Sequence, residues 1–483
     1  MLIIYYYGCM ICNTISNHNY FGRLKIKVGK IRLEGGAMFY KPSKFNYHIE
    51  TKNGDVLLIN IYTGFVSLVK VEKDNKDYVL NLLAQDKVED DKSAIFKSMV
   101  DKGFFVEESV DEDQKLKLLY TNRISDNTLN LTILPTEQCN YRCKYCYESF
   151  ERGKMSQEVQ DAIVKFVKEN IHNYRGLNVG WFGGEPLIAL DVIENLSKQF
   201  IDICQRNRVP YIADVTSNGY LLTADTLKKL YKLHVSTYTI TIDGIRETHN
   251  EQKPLANGDP TFDTVIQNLL DIKNTVKNRF FSITLRTNFT PKIHEHIKEY
   301  VDFFYDNFGD DDRFTFFTRP AGDWGGDTVK AFSDSLFERD AFEDAVFKDL
   351  LDYDKTLRYD RHVRMMSPGG SMCNLSMTHS LLFDSAGNVR KCSCNLDDDE
   401  TIIGNIKDGN VDIDVNKMAK WVNYYEPVNQ CKDCFFAPAC LDNSCLAKQV
   451  LYHTADDCQV YEKKNIGYVL QLFDKTEKIE VLK

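Results

Sequence analysis

The sequence predicts an α/β protein: an open or partial barrel of six strand–helix units, with a small domain before it and a cysteine-rich domain after it. Three observations carry this prediction. Between residues 129 and 320, short apolar runs alternate with amphipathic stretches of helical period, as a parallel sheet with crossover helices requires. Ahead of this region, hairpin signals lead into two helical stretches. Behind it, from Met372, the periodicity fades into turns while cysteines accumulate.

Residues 1–37 have no clear period and carry Arg23, Lys25, Lys27, Lys30 and Arg32 against one acid, Glu34. Glu34-Gly35-Gly36 stands just before Met38. Codons for Glu-Gly-Gly can spell a purine-rich ribosome-binding site, so translation is expected to begin at Met38, and Cys9-x-x-Cys12 is then incidental. Residues 38–120 form the small domain. Strands are predicted at 46–50, 56–61 and 65–71, with turns at Asn53-Gly54 and Thr63-Gly64. Helices follow at 77–84 and 93–102, the second ended by Gly103. The acidic run 107–113 reads as a solvated linker.

The core domain covers residues 121–330. Its strands are expected at 129–134, 177–182, 211–216, 236–242, 281–288 and 314–318, and its helices at 157–170, 188–207, 224–233 and 262–277. Parallel barrels do their chemistry at the C-terminal strand ends, and the motifs below fall there. Residues 331–371 read as a linker region. Residues 372–460 show short strands at 380–383 and 388–391, have little core of their own, and are expected to fold around metal. Residues 461–483 read as an amphipathic helix and a polar tail.

The formal charge of −10, from 60 Lys+Arg against 70 Asp+Glu, argues against nucleic acid as a partner. No run approaches the roughly 20 apolar residues needed to span a bilayer. The apolar start lacks a basic segment before it, so no secretory signal is read and a cytoplasmic location is expected. Eleven of the 14 cysteines fall in tight groups at 139–146, 373–394 and 431–458. Such grouping points to metal sites in a reducing compartment. Cys204, on the apolar face of a helix, reads as a core thiol, and His294 and His296 as solvated.

Cys139-x3-Cys143-x2-Cys146 follows the first core strand. This spacing lets three thiolates wrap one cluster; in a four-iron cluster it leaves one iron open for a ligand. A zinc site would normally close with four ligands. The segment resembles the signature of the radical S-adenosylmethionine (SAM) superfamily, with Tyr145 at the aromatic position before the last cysteine. The resemblance implies a [4Fe–4S] cluster on Cys139, Cys143 and Cys146, with SAM on the open iron. One electron would then split SAM into methionine and a 5′-deoxyadenosyl radical, supplied by an external donor such as flavodoxin or ferredoxin.

Phe182-Gly183-Gly184-Glu185-Pro186 ends the second strand and resembles the superfamily's GGEP motif. There the glycines let a ligand approach the backbone and the carboxylate receives the SAM ammonium. Ser217-Asn218, Asp243 and Arg286 end later strands. Each is a candidate SAM contact, with a strand cap or buried polar anchor as the alternative.

The C-terminal cysteines resemble the SPASM domain of peptide-modifying radical SAM enzymes, which carries two auxiliary [4Fe–4S] clusters. By that resemblance Cys373, Cys392 and Cys445 bind the first, and Cys431, Cys434, Cys440 and Cys458 the second. Cys440 and Cys445 have four residues between them where the pattern expects three. Either Cys394 completes the first auxiliary cluster or that cluster stays open to a substrate thiolate; the open site is favoured. A pair of zinc knuckles is the alternative for the group.

Strands followed by helices over residues 38–120 resemble the winged-helix-like recognition domains (RRE) of ribosomal-peptide (RiPP) maturases, where a leader peptide adds a strand to a sheet edge. The resemblance implies a peptide maturase acting on a ribosomally made precursor, with a thioether from a cysteine sulfur to a carbon as the expected crosslink. Alternatives are a carbon–carbon crosslink, formylglycine formation in a sulfatase, and a non-catalytic iron–sulfur or zinc scaffold.

Overall fold

The structure, a computed structural model, describes residues 38–90, 92–322, 327–336, 365–396, 398–422, 431–441, 461–475 and 479–482, with single positions between them. The expectations for residues 1–37, for Cys445 and Cys458, and for most of the linker region lie outside these residues.

The small domain forms strands β1 (Phe39–Pro42), β2 (Asn46–Glu50), β3 (Val56–Asn60) and β4 (Val69–Val71), a helix at Lys73–Leu83, β5 (Val88–Glu89), a helix at Ala94–Asp101, and β6 (Phe105–Glu107). β2 and β3 are the expected hairpin, antiparallel from Asn46↔Asn60 to Glu50↔Val56. All five residues of β3 are buried, which is why it reads as an unbroken apolar run. Ser93 caps the second helix by accepting the Phe96 amide at 3.0 Å. Gly103, at φ 85°, ends it as expected.

Two expectations fail in this domain, and one sheet was not foreseen. The strand at 65–71 is a 3-10 turn, Gly64–Ser67, followed by the short β4. The Ser67 hydroxyl donates to the Gly64 carbonyl at 2.7 Å and accepts the Asn60 amide at 2.9 Å, so local bonds replace the ladder. β1, β5 and β6 make a second antiparallel sheet, in the order β5-β1-β6, that no turn signal announced. The acidic run is no linker. It feeds a helix, Glu112–Ile124, whose Glu112 is buried and accepts from Ser43 Oγ at 2.6 Å and the Lys44 amide at 3.0 Å. Leu116 and Tyr120 of that helix pack with Phe45, Met372, Ala437 and Leu441, which docks the small domain on the cysteine-rich region.

The core has all six expected strands: β7 (Thr128–Ile133), β8 (Gly176–Trp181), β9 (Tyr211–Ser217), β10 (Val235–Thr241), β11 (Ser282–Phe289) and β12 (Phe314–Pro320). Each pairs in parallel with the next. The predicted crossover helices stand at Gln157–Asn170, Leu190–Asn207, Ala224–Lys232 and Phe262–Thr275.

The cysteine-rich region is not a separate layer. β13 (Ser380–Phe383) pairs in parallel with β7, and β14 (Asn388–Arg390), β15 (Ile402–Lys407) and β16 (Asn410–Ile413) follow antiparallel. The result is one ten-stranded open sheet, β12-β11-β10-β9-β8-β7-β13-β14-β15-β16. β13 covers what would otherwise be an exposed edge of β7. Phe383, Val389 and Ile403 are fully buried in the barrel's own core. The C-terminal stretch is also more than helix and tail. After the helix Tyr461–Asp474, β17 (Glu480–Leu482) pairs in parallel with β4 and completes the sheet β17-β4-β3-β2. Among the described residues no helix is long and apolar enough to cross a membrane.

Candidate functional site

The loop after β7 carries Cys139, Cys143 and Cys146, and residues 252–256 hold it in place. The Arg142 amide donates to the Pro254 carbonyl, the Lys144 amide to Gln252 and the Ala256 amide to Asn140, at 3.0, 3.0 and 2.8 Å. The Tyr141 amide lies 3.4 Å from Cys139 Sγ. Burial pushes all three thiols up, Cys146 to about 12, and each of Cys139 and Cys146 is raised further by its neighbouring cysteines. Such thiols do not ionise unaided; a bound cation is what would ionise them. Among the described residues no three His, Cys, Asp or Glu side chains converge as the donors of one metal ion do. The donor set itself, three cysteines on one loop, fits a multi-iron cluster whose thiolates bind separate irons.

Gly183 and Gly184 are needed, but for a different reason than the sequence suggested. A Cβ on Gly183 would lie 2.5 Å from the Thr136 carbonyl oxygen, and one on Gly184 would lie 2.5 Å from that of Gln138. The glycines therefore admit the backbone of the cysteine loop. Glu185 follows, fully buried, and its amide donates to the Gln138 carbonyl at 3.0 Å. Its carboxylate accepts from the Leu187 amide at 3.0 Å, Ser217 Oγ at 2.9 Å and the Asn218 amide at 2.7 Å. Glu185 thus ties the end of β8 to the end of β9, leaving about one of four acceptor positions unused. Ser217 acts as a buried anchor. Asn218 reaches the cysteine loop, with Nδ2 at 2.8 Å from Asn140 Oδ1 and 3.9 Å from Cys139 Sγ.

Tyr145 is the hub of a buried polar network. Its hydroxyl bonds to Asp243 and receives Asn288 Nδ2 at 3.1 Å and Lys253 Nζ at 3.3 Å. The Asp243 carboxylate also accepts the Asn288 amide at 3.0 Å. Burial opposes the charge on Lys253, but Cys143, Tyr145, Asp243 and Tyr141 together hold its ammonium well above the usual lysine range. Sequence reading missed Lys253, which belongs to no motif, and Asn140, which stands at a variable position of the cysteine motif. Arg286 lies within β11, three residues before its last, Phe289, and not at the strand end as expected; among the described residues its buried Nε has no hydrogen-bond partner. A buried donor left over in this way fits a ligand carboxylate.

Two further residues missed by the sequence reading join this loop to the C-terminal cysteines. Glu137, buried, accepts from Arg152 Nε at 2.6 Å, Ser385 Oγ at 2.6 Å and the Ser385 amide at 3.2 Å. Arg152 in turn donates to the Leu396 carbonyl at 3.1 Å. Burial, with Cys394, Glu148 and Cys146 nearby, holds the Tyr147 hydroxyl well above the usual phenol range, so Cys394 comes close to the residue that follows Cys146. Cys392 is drawn down to about 6 by the Cys394 thiol and by the Cys394 and Asn395 amides. Cys373 packs beside Leu134, Leu375, Leu382 and Leu396 and attracts the buried Lys391 ammonium. Cys431, Cys434 and Cys440 sit on a turn and the short helix Ala437–Cys440. Cys204 is buried, as expected. His294 is not solvated; its Nε2 lies 2.8 Å from Asp349 Oδ2.

Residues 133–304 match the family model described as the radical SAM superfamily, so this stretch is a radical SAM domain. The S-adenosylmethionine-dependent nucleotide dehydratase of Pseudoalteromonas ulvae is 28% identical over 22% of this chain and 38% of its own length. The radical SAM cyclopropyl synthase TigE of Paramaledivibacter caminithermalis is 26% identical over 29% of this chain and 34% of its own. The chain thus spans under half the length of these curated relatives. Native anSMEcpe with bound AdoMet shares the fold, with a TM-score of 0.54 at 19% identity, covering 72% of this chain and 96% of that one. The same protein with bound AdoMet and Cp18Cys peptide gives 0.52.

Proposed function

We propose that this chain is a radical SAM peptide maturase that forms a thioether between a substrate cysteine and a carbon of another residue. The observation that carries the reading is the link from Glu137, just before the barrel cysteine loop, through Ser385 and through Arg152 and Leu396 to the segment that bears Cys392 and Cys394. A [4Fe–4S] cluster on Cys139, Cys143 and Cys146 with SAM supplies, when bound, a carbon radical able to take hydrogen from an unactivated carbon. Tyr145, Lys253 and Asn218 hold the cysteine loop, and Arg286 offers a guanidinium to the SAM carboxylate. Glu185, Ser217, Gly183 and Gly184 fix the strand ends on which that loop rests.

The second cysteine group is suited to hold sulfur. Its backbone amides and the Cys394 thiol stabilise negative charge at Cys392, and a substrate thiolate placed beside it meets the same donors. The close approach of Cys394 to Cys392 favours Cys394 as a ligand of the first auxiliary cluster, which narrows the room left for substrate sulfur. Forming the thioether removes two hydrogens from the peptide: one hydrogen atom to the radical, one proton from the thiol. Cys373, Cys392 and Cys445, and Cys431, Cys434, Cys440 and Cys458, would hold two auxiliary clusters, which would supply an acceptor for the odd electron. The peptide-bound structure of anSMEcpe supports a peptide substrate through shared fold.

Mass spectrometry of a matched precursor after anaerobic turnover tests the reading. A thioether product has two fewer hydrogens and one fewer alkylatable thiol. Loss of two hydrogens with every thiol still alkylatable selects a carbon–carbon bond instead.

A further inference from the structure

The sheet that the small domain presents is closed on one side by the far end of the chain. β4 pairs with β3 along one edge and with β17 along the other, in the register Glu480↔Val69, Val481↔Lys70 and Leu482↔Val71. We propose that this outer edge of β4 is a docking groove for an extended peptide, and that β17 is its intramolecular occupant, displaced when a substrate peptide binds. The proposal rests on the peptide-maturase reading and adds where the peptide is gripped and what competes for the grip.

The contact has the make-up of strand addition, in which main-chain bonds give affinity and pockets for alternate side chains give specificity. The paired strand is three residues long and parallel, the less stable pairing per residue. One side chain is embedded: Leu482, 2% exposed, joins the apolar cluster of Val69, Val71, Val79 and Phe96. Glu480 stays 64% exposed, held by an ion pair to Lys102 at 2.9 Å. Lys70 pairs with Asp474 at 3.1 Å and Asp55 at 3.3 Å. The Lys102–Glu480 pair, exposed on its carboxylate side, contributes little, so it exchanges easily. The groove therefore fits an extended segment with a carboxylate two residues before an aliphatic side chain.

The position also suits delivery. On the opposite edge of the same sheet, the Tyr47 ring of β2 stacks on Phe435, next to Cys434, with centroids 4.7 Å apart. A peptide held along β4 is thus anchored on a sheet that itself rests on the cysteine-rich region. A tethered strand acts at an effective concentration of roughly millimolar, so it lowers the apparent affinity of any rival peptide.

The test uses the chain's own segment as probe. A fluorescent octapeptide with the sequence of residues 476–483 is titrated into the full chain and into a chain ending at Ile479. The shortened chain is expected to bind at least about tenfold more tightly than the full chain, and a Leu482→Asp peptide is expected not to bind. Equal binding to both chains overturns the proposal, as does no binding to a shortened chain that keeps its unfolding midpoint. Should the shortened chain not fold, hydrogen exchange on the intact chain decides. Amides of Glu480–Leu482 should exchange well before those of β3, and equal protection would mark β17 as a fixed part of the sheet. Turnover of a precursor with KM unchanged by the truncation defeats the docking inference and leaves the proposed function standing.

Discussion

The two cysteine regions solve opposite electrostatic problems. The barrel loop buries three thiols near one another with few donors, and burial drives all three up. The C-terminal segment surrounds Cys392 with donors and draws it down to about 6. Their scaffolding differs as well. The barrel loop is gripped by strand ends of one continuous fold, whereas the C-terminal segment borrows its order from neighbours: β7 through β13, Glu137 through Ser385, and Tyr47 through Phe435. The difference implies a division of labour: burial keeps the barrel thiols protonated unless a cation is bound, whereas at Cys392 neighbouring donors already stabilise negative charge.

The largest expected effect separates the two sites. Replacing Cys139, Cys143 and Cys146 with Ala should remove about one cluster's worth of iron and abolish formation of 5′-deoxyadenosine from SAM and dithionite. Replacing Cys373 and Cys392 should leave 5′-deoxyadenosine formation in place while peptide product disappears. If the second pair also stops SAM cleavage, the division of labour is wrong.

The next effect tests the grip on the barrel loop. Gly184→Ala sets a methyl group against the Gln138 backbone and should cost about 1–3 kcal/mol, read by denaturant unfolding, with reduced SAM cleavage. Gly153→Ala, with nothing within 4 Å, should stay within about 0.5 kcal/mol. The clasp between the sites comes next. Glu137→Gln weakens the bonds to Arg152 and Ser385, so 5′-deoxyadenosine should persist while crosslinked peptide falls. Equal loss of both would make Glu137 a general structural residue.

Acid should act on the barrel through His249. Burial, with Lys253 nearby, holds His249 well below the usual imidazole range. The unfolded imidazole takes a proton below about pH 6.5 while the folded one does not. Stability is therefore full above that pH and falls as the pH drops below it, by up to about 1.4 kcal/mol per unit. His249→Asn, which can still accept the Asp243 amide, should flatten that slope in unfolding midpoints measured from pH 7 to 5. The smallest effect concerns the borrowed contacts. A double-mutant cycle on Tyr47 and Phe435 should return about 0.5–1.5 kcal/mol of coupling.

Local pattern made the barrel legible. Six strands stand where apolar runs and crossover helices placed them, because each βα unit is a short-range event with its own period and caps. The cysteine spacing, the Gly183-Gly184-Glu185 turn and Ser217-Asn218 were visible for the same reason: their meaning is held within a few residues. The chemistry of those residues was less visible. That Gly184 makes room for Gln138, or that Glu185 is satisfied by Ser217 and Asn218, depends on which loop lies across the strand end.

The sequence by itself determined the element order of the barrel, the three cysteine groups and the strand ends at which polar residues gather. Tertiary structure alone decided that Glu112 is buried beneath Ser43, that Lys253 and Asn288 share Tyr145, that β13 extends the barrel sheet and that β17 returns to β4. Each of these joins residues far apart in the chain, and the free energy that fixes them comes from desolvation and edge pairing. No local period or spacing encodes either until the whole chain has folded.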